Sequence, residues 1–444
     1  MGDDYFEWTE RLFDPGQLFA KPEALEGVRV VEAAHIIMGP VNADYLGEFG
    51  AEVVKVELPG SGDNMRYVIP DGRPWKNGNP AFFNVNHSKY HVGLDLHRPE
   101  GQALFRRLVA RSDVLVENLV PGTLEEWGIG YRALSELNPR LVYVADSGFG
   151  QWGPFSVGRA SYDGVAQVAS GLAAVSGFPG RPPLKIGVWI GDYFGAILAA
   201  VAVLAALEHR ERTGKGQYVD FAQSEGLIRT MDWTWLYRDQ AGRDRERSGN
   251  RDQAIAPSDI VACRDGMIAI AAGADDEFRG LAVAMGRAEV ADDPRWKTLD
   301  ARLRPEANAE LCRLVAAWAA SRTVAELEAL AARHGFAAAP VLDAATIHAD
   351  PHFRHRRAVF PVDDGVYGPL ADAGPAPKLS ATPGRHKWTA RPVGFHNDYV
   401  LTRLLGLSRE EIRQLEAQGV VGKWADRPGA KPPDGWAGEG AVFS

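Results

Sequence analysis

The stretch that decides the fold runs from Gly27 to Val56 and reads GVRVVEAAHIIMGPVNADYLGEFGAEVVKV. It begins with a short apolar run, Val28–Val31, and ends with a second one, Ala51–Val56. Between them, Pro40 to Phe49 carries apolar side chains at helical spacing. Strand-length apolar runs on either side of such a helix are typical of a βαβ unit. The stretch therefore predicts two parallel strands joined by a crossover helix.

The same alternation continues through the first half of the chain. Apolar runs predict further strands at Val92–Leu96, Val114–Val116, Leu141–Val144 and Tyr218–Phe221, and Pro99 begins another helix. Strands separated by helices predict a mainly parallel sheet with helices on both faces, an α/β fold. The longest apolar run, Ala196–Leu207, is shorter than the ~20 residues of a membrane span, so we expect a helix buried on all sides and no membrane contact.

A change of pattern after Phe221 predicts a second domain. A hairpin is expected at Cys263–Ala272, and helices are expected at Glu277–Met285, Ala307–Ala320, Val324–His334 and, near the end of the chain, Ser408–Gln418. We predict a Rossmann-like large domain of residues 26–222 together with 350–444, and a smaller α+β domain of residues 250–335. Residues 223–249 and 336–349 are predicted linkers, and residues 1–25 an N-terminal extension.

Composition and charge restrict the class of protein. The chain has 444 residues, 45% of them hydrophobic and 24% charged, which is typical of packed domains. A net charge of −9 opposes a broad nucleic-acid surface. Two cysteines, Cys263 and Cys312, form neither a disulfide framework nor a metal-binding spacing, and the acidic N-terminus lacks a signal-peptide pattern. We therefore expect a cytoplasmic protein without a metal.

Residues 148–153, GFGQWG, have the G-x-G-x-x-G spacing of a dinucleotide fingerprint directly after a predicted strand. Such a fingerprint must open a helix so that phosphate meets its N–H groups, but Pro154 and Phe155 follow here. The pattern therefore favours a glycine-rich loop at the carboxyl end of a strand over a nicotinamide site. Open α/β sheets bind their ligands at such loops.

Asp163 lies just before the predicted helical segment that starts at Val165. An aspartate in that place is most often an N-cap, which accepts a hydrogen bond from its own helix. A carboxylate nucleophile is the alternative, because N–H groups at a helix start stabilise an anion. The residues alone leave both interpretations open and do not name a reaction.

Several segments carry a family resemblance when taken together and in order. They are Gly27–Glu32 with Gly39-Pro40, Leu46–Glu57, Gly60–Arg66, Leu94–Leu96 with Pro99–Gly101, Asp113–Asn118 with Pro121-Gly122, Leu137–Arg140, Gly148–Gly150 with Gly153-Pro154, and Thr213–Gln217. On these segments the chain resembles the class III CoA-transferases, the CaiB/BaiF family, from about Gly27 to Val421.

The resemblance implies an acyl-CoA:carboxylate CoA-transferase, with coenzyme A arriving as the acyl-CoA substrate. It implies that Asp163 is the nucleophile, which forms a mixed anhydride and then an aspartyl-CoA thioester. The backbone of Gly148, Phe149 and Gly150 is the implied oxyanion donor. The implied CoA contacts are His35, Met38, Arg66, Lys89 and Asn118. The family also implies an interlocked homodimer, or a heteromer with a related chain.

Two other functions stay open at this point. An α-methylacyl-CoA racemase shares the fold, but it needs an acid/base pair, and Tyr162 stands where a histidine would be expected. A non-catalytic CoA-binding subunit of a heteromeric transferase is the second alternative, which the presence of Asp163 opposes. Within the family that the chain resembles, oxalate-using members have a tetraglycine loop, and its absence around residues 251–275 argues against oxalate as a substrate.

Overall fold

The structure is a computed structural model that describes residues 4–75 and 79–426. The first three residues of the predicted extension and residues 427–444 of the predicted large domain lie outside the described residues. The chain divides into two compact units. The first unit contains the described parts of Met1–Ser170, Gly187–Thr230 and Pro351–Ser444, and the second unit contains Gly171–Ile186 and Met231–Asp350.

The regular elements are numbered along the chain. The strands are β1 Arg29–Ala33, β2 Glu52–Glu57, β3 Lys89–Gly93, β4 Val114–Glu117, β5 Val142–Ser147, β6 Tyr218–Ala222, β7 Ser258–Ala262, β8 Met267–Ala271, β9 Ala337–Pro340, β10 Val359–Asp364 and β11 Gly368–Ala373. The helices are α1 Asp4–Leu12, α2 Met38–Glu48, α3 Pro80–Asn84, α4 Pro99–Val109, α5 Thr123–Glu126, α6 Tyr131–Leu137, α7 Asp163–Ala169, α8 Leu172–Val175, α9 Ile190–Thr213, α10 Gln223–Arg229, α11 Thr234–Ala241, α12 Asp275–Ala284, α13 Leu299–Arg302, α14 Pro305–Ala319, α15 Val324–His334, α16 Ala344–Ala349, α17 Pro351–His355 and α18 Arg409–Ala417.

A six-stranded sheet forms the centre of the first unit, with the strand order β3-β2-β1-β4-β5-β6. All five strand pairs are parallel, and Val31 of β1 pairs with Val54 of β2 and Leu115 of β4. The order reverses between β1 and β4, as in a doubly wound Rossmann-type sheet. The predicted α/β fold with a mainly parallel sheet is therefore confirmed.

Helices cover both faces of this sheet because successive strand residues point to opposite sides. Val30, Val53 and Val114 pack on one face with Ala43 of α2 and Val203 of α9. The neighbouring residues Val31, Val54 and Leu115 pack on the other face with Leu104 of α4 and Leu134 of α6. The near-continuous apolar strands of the sequence reflect this burial on both sides.

Helix α9 corrects one expectation. The sequence predicted a helix buried on all sides at Ala196–Leu207, but Ile197, Val201 and Leu204 are exposed on one face of α9. Its other face packs against α2 and the sheet. By length and composition alone α9 could span a membrane, and 44% of its most apolar window is buried inside the protein.

The C-terminal segment closes the β3 side of the sheet. The Gly93 N–H donates to Asn397 Oδ1 at 2.9 Å, and the Gly422 N–H donates to the Gly93 carbonyl at 3.2 Å. Helix α18 has the predicted capping box, in which Ser408 and Glu411 bond each other's backbone N–H groups. Strand β3 lies three residues before its predicted position because its polar residues, such as Lys89, are buried.

The second unit contains an antiparallel sheet, β7-β8-β9, packed against α12, α14 and α15. The hairpin and the three helices confirm the predicted α+β character, and Gly335 ends α15 in the left-handed conformation, as predicted. The predicted boundaries differ. Strand β9 and α16 occupy the supposed linker 336–349, while residues 171–186 join this unit. The alanines of β9 follow no apolar alternation, so its pairing with β8 could not be predicted.

Candidate active site

Four strands of the parallel sheet end at one edge, and the predicted site residues follow those ends. His35 comes after β1, Asn118 after β4, Gly148 after β5 and Gln223 after β6. The strand order reverses between β1 and β4, and open α/β sheets bind ligands in the crevice at such a reversal. The edge at β1 and β4 is therefore the candidate active site of the first unit.

Asn118 holds the backbone of His35 from both sides. The His35 N–H donates to Asn118 Oδ1 at 2.9 Å, and Asn118 Nδ2 donates to the His35 carbonyl at 2.7 Å. Burial lowers the pKa of the half-buried His35 imidazole, with nearby Lys55 adding to the effect, although Asp63 opposes it. A neutral imidazole at the sheet reversal can exchange hydrogen bonds with a polar ligand.

Met38 lies at the start of α2, which packs against α9. A Cβ added to Gly195 would lie 2.9 Å from Met38 Sδ, so the thioether rests directly on the α9 backbone. Gly195 is one turn after the start of α9. The structure therefore brings Met38, His35 and Asn118 to one edge of the sheet, beside the beginning of α9.

Asp163 is the first residue of α7, but it does not cap that helix. Tyr162 occupies the N-cap position, and no side chain bonds to the helix there. Instead Asp163 Oδ1 accepts the N–H of Gly191 in α9 at 2.7 Å, and Oδ2 accepts Gln167 Nε2 at 2.6 Å. The N-cap interpretation is therefore wrong, and both oxygens of this buried carboxylate are engaged.

Asp192 is a second carboxylate beside Asp163, which the sequence reasoning missed. It lies in the first turn of α9, next to Gly191, and one of its oxygens accepts Gln223 Nε2 at 2.7 Å. No hydrogen bond from the described residues engages its other oxygen. Burial and, second, the charge of Asp163 raise the pKa of Asp192 to about 7. The only signal in the sequence was an acidic residue at the start of an apolar helix.

The predicted glycine loop, Gly148-Phe149-Gly150, lies beside the two carboxylates. The Ser224 N–H donates to the Gly148 carbonyl at 3.1 Å, so consecutive residues of α10, Gln223 and Ser224, hold Asp192 and this loop. A Cβ at Gly148 would lie 2.1 Å from Ser161 Cβ, which requires glycine for this close approach. The Gly150 N–H donates to Ser147 Oγ, which leaves Gly148 and Phe149 as the candidate oxyanion donors of the triplet.

Lys89 and Arg66 are both engaged by other groups of the protein. Lys89 is fully buried, and its ammonium pairs with Glu32 at 2.8 Å and bonds two backbone carbonyls. Arg66 makes two 2.8 Å hydrogen bonds to Glu57 and a third to the Arg391 carbonyl. Because these contacts engage both cations, we do not propose that either of them binds a CoA phosphate.

One buried cluster in the first unit has the residue types of a metal site. Ligand atoms of Glu48, His87 and His386 lie within 4.8 Å of one another. The two rings, however, stack at 3.7 Å with planes 8° apart, so their in-plane lone pairs cannot converge on one ion. Each ring nitrogen instead faces a carboxylate oxygen of Asp44, Asp372 or Glu48. These five side chains, the imidazole–carboxylate chain, suit hydrogen bonding better than a metal.

The sheet order defines a doubly wound α/β fold with a candidate site at its reversal, and comparison with known proteins gives the class of protein. The chain belongs to CoA-transferase family III, whose family model matches residues 25–397. It is therefore a CoA-transferase.

Three similar proteins illustrate the relationship. The succinyl-CoA–D-citramalate CoA-transferase of Chloroflexus aurantiacus is 41% identical, over 90% of this chain and 98% of that protein. The β subunit of the succinyl-CoA–L-malate CoA-transferase of the same organism is 36% identical, over 89% and 98%. A crystal structure of a CAIB/BAIF family protein from Brucella suis superimposes with a TM-score of 0.77 at 31% identity, over 86% of this chain and all of that one.

Proposed function

We propose that the enzyme moves CoA from an acyl-CoA donor to a carboxylic acid through a covalent aspartyl intermediate, with Asp163 as the attacking carboxylate. The observation that carries this proposal is the setting of this buried side chain at the start of α7, where Oδ1 accepts the Gly191 N–H and Oδ2 accepts Gln167 Nε2. These two donors orient the carboxylate, whereas burial raises the pKa of neighbouring Asp192 to about 7 and so disfavours its ionised form. The family resemblance implies the same role for Asp163.

Each step exchanges one activated acyl bond for another. The Asp163 oxygen attacks the thioester carbon, the C–S bond breaks, and the departing CoA thiolate leaves a mixed anhydride behind. The thiolate then attacks the aspartyl carbonyl and releases the donor acid, which leaves an aspartyl-CoA thioester. The acceptor carboxylate attacks this thioester to form a second anhydride and releases the thiolate, whose return yields the new acyl-CoA and free Asp163. No net proton is taken up, so the energetic requirement is positioning and anion stabilisation.

The surrounding residues support these steps. The Gly148 and Phe149 N–H groups are proposed to donate to the oxyanion that forms at each attacked carbonyl. Gly191 and Gln167 hold the two Asp163 oxygens at 2.7 and 2.6 Å and so orient the carboxylate. The buried setting of Asp163 keeps water from the anhydride and the thioester, both of which hydrolyse readily.

The relatives suggest the substrate class. The two named enzymes of Chloroflexus aurantiacus use succinyl-CoA with citramalate or malate, both hydroxydicarboxylic acids. We propose succinyl-CoA as the donor and a four- or five-carbon dicarboxylic acid as the acceptor for this chain.

Variants of the two acids test the proposal in an assay with succinyl-CoA and a panel of mono- and dicarboxylic acids. Asp163→Asn should abolish transfer, because an amide cannot form the anhydride, while Asp192→Asn should retain measurable transfer. Hydroxylamine added during turnover should leave a hydroxamate on Asp163, which peptide mass spectrometry locates. A hydroxamate on Asp192, or full activity of Asp163→Asn, would overturn the assignment.

The same assay separates the other two functions. Solvent deuterium at the α-carbon of an acyl-CoA, with no acceptor acid present, would indicate a racemase instead. Protein that is inactive alone but active with a related chain would indicate a partner subunit of a heteromer.

We propose a homodimer as the assembly. The apolar side chains of Ile197, Val201 and Leu204 are exposed on α9, as are Val165 and Val168 on α7, the helices that carry the two acids. Contiguous exposed apolar residues on adjacent helices are typical of an interface, and the family resemblance implies a second copy. Light scattering after size exclusion should give twice the chain mass, and Val201→Glu should lower it. A monomeric wild type would contradict the proposal.

A further inference from the structure

The loop between β1 and α2 contains an unfavourable backbone conformation. Residues 34–37, called the His35 loop, include Ile36 with φ of +69°. Left-handed φ values are costly for a β-branched residue, because its Cβ crowds the neighbouring carbonyl. Such a conformation persists only where surrounding contacts hold it. The contacts that hold Ile36 therefore determine where His35 lies.

Asp63 supplies the contact at Ile36. Its Oδ1 accepts the Ile36 N–H at 2.9 Å and the Met65 N–H at 2.8 Å. The carboxylate is buried, and its own N–H donates to Glu57 Oε1 at 3.0 Å. A charged acceptor fixed by its own segment thus faces the strained peptide.

Lys55 of β2 completes the support. Its fully buried ammonium lies 2.9 Å from Asp63 Oδ2 and donates to the Ala34 carbonyl at 3.0 Å. Glu32, at 2.5 Å, balances its charge. The Lys55–Asp63 pair therefore holds the backbone on both sides of His35, at Ala34 and at Ile36.

Three side chains thus hold three consecutive residues of the His35 loop. Asn118 bonds the N–H and the carbonyl of His35, while Lys55 and Asp63 hold its neighbours. We propose that Asp63 is a positioning residue that, together with Lys55, keeps the His35 loop in the turn that acyl-CoA binding requires. This inference rests on the proposed CoA transfer and on the contact between His35 and CoA that the family resemblance implies.

The expected effect of losing Asp63 falls on binding. Without its acceptor, Ile36 returns to a favoured conformation and only a fraction of molecules presents His35 correctly. The apparent affinity falls by that fraction, while the molecules that bind still react. We expect Asp63→Ala to raise KM for acyl-CoA on the order of tenfold with a much smaller change in kcat.

A second substitution distinguishes positioning from general damage. Glycine adopts a φ of +69° without strain, so Ile36→Gly should restore much of the lost affinity in the Asp63→Ala background. The milder pair, Asp63→Asn with and without Ile36→Gly, gives the same comparison if Asp63→Ala does not fold. No recovery of KM in either pair would overturn the inference.

Asp364 offers a matched control in the first unit. It too is buried, accepts two backbone N–H groups through Oδ1, from Val366 and Tyr367, and pairs with an arginine, Arg391. Asp364→Asn should lower thermal stability but leave KM for acyl-CoA unchanged. A rise in KM equal to that of Asp63→Asn would contradict a specific role for Asp63.

Equilibrium binding of free CoA to His35→Ala distinguishes the positioning role of Asp63 from the CoA contact of His35. Weaker binding with His35→Ala but normal binding with the Asp63 variants would refute only the positioning role. Unchanged binding with His35→Ala would refute the proposed CoA contact itself.

Discussion

Asp163 and Asp192 belong to the same residue type and lie side by side, yet their surroundings give them different chemistry. The hydrogen bonds of Asp163 to Gly191 and Gln167 use both of its oxygens. Among the described residues, Gln223 is the hydrogen-bond donor to Asp192, and burial together with the charge of Asp163 raises the pKa of Asp192 to about 7. Asp163 therefore acts on Asp192 in two ways, by fixing the backbone before it and by opposing its ionisation.

This coupling predicts a pH dependence. An ionised Asp192 places a second negative charge beside Asp163 and opposes the anions that form in each step, so kcat/KM should fall as pH rises through about 7. Asp192→Asn cannot ionise, so its curve should lack this fall. Rates with saturating acceptor from about pH 5 to about pH 9 measure both curves. A fall that persists in Asp192→Asn would show that ionisation of Asp192 does not control the rate.

At the scale of elements, the imidazole–carboxylate chain joins α2, β11 and the residues around His87 and His386. Its four contacts between ring nitrogens and carboxylate oxygens span 2.8 to 3.2 Å. An ionised carboxylate only accepts, so a ring N–H that faces one donates to it, and these contacts favour the protonated form of each imidazole. Burial opposes the charge on His87, but Asp44 and Asp372 outweigh it and raise its pKa to about 10.

The proton that folded His87 retains makes the free energy of unfolding depend on pH. An unfolded histidine loses its proton near pH 6.5, whereas folded His87 keeps it to about pH 10. The contribution of His87 is therefore complete below about pH 6.5 and is lost as pH rises toward about 10, by up to about 1.4 kcal/mol per pH unit. Urea unfolding at several alkaline pH values should show this slope in the wild type. His87→Gln should flatten it, whereas a substitution of exposed His97 should not.

Local signals explain which elements could be predicted. The glycine that ends α15 and the capping box that begins α18 lie next to their helices in the sequence, so sequence alone located them. Lys89 in β3 is buried against Glu32, which is distant in the sequence, and no local pattern reveals such a partner. Asp192 was missed for the same reason, because its neighbours Asp163 and Gln223 come from other parts of the chain.

For the molecule as a whole, the C-terminal segment is part of the first unit's core. A Cβ on Gly93 would lie 2.0 Å from the Gly422 carbonyl oxygen, a backbone atom that cannot move aside cheaply. Gly93→Ala should therefore reduce the free energy of unfolding by about 2–4 kcal/mol. Gly266→Ala, whose Cβ would meet only an ordinary contact at 3.5 Å, is the matched control in thermal unfolding. Equal melting temperatures for the two variants would contradict this role for the segment.

That closure has a consequence for synthesis on the ribosome. Strand β3 leaves the exit tunnel early, but the residues that bond to its outer edge, Asn397 and Gly422, are among the last described ones to be made. The outer edge of β3 in the nascent chain therefore stays unpaired while some three hundred further residues are translated. Until the C-terminal segment has been made, the exposed edge of β3 can pair with other strands. We therefore expect chaperones to matter more during translation of this enzyme than for one whose sheet is complete early.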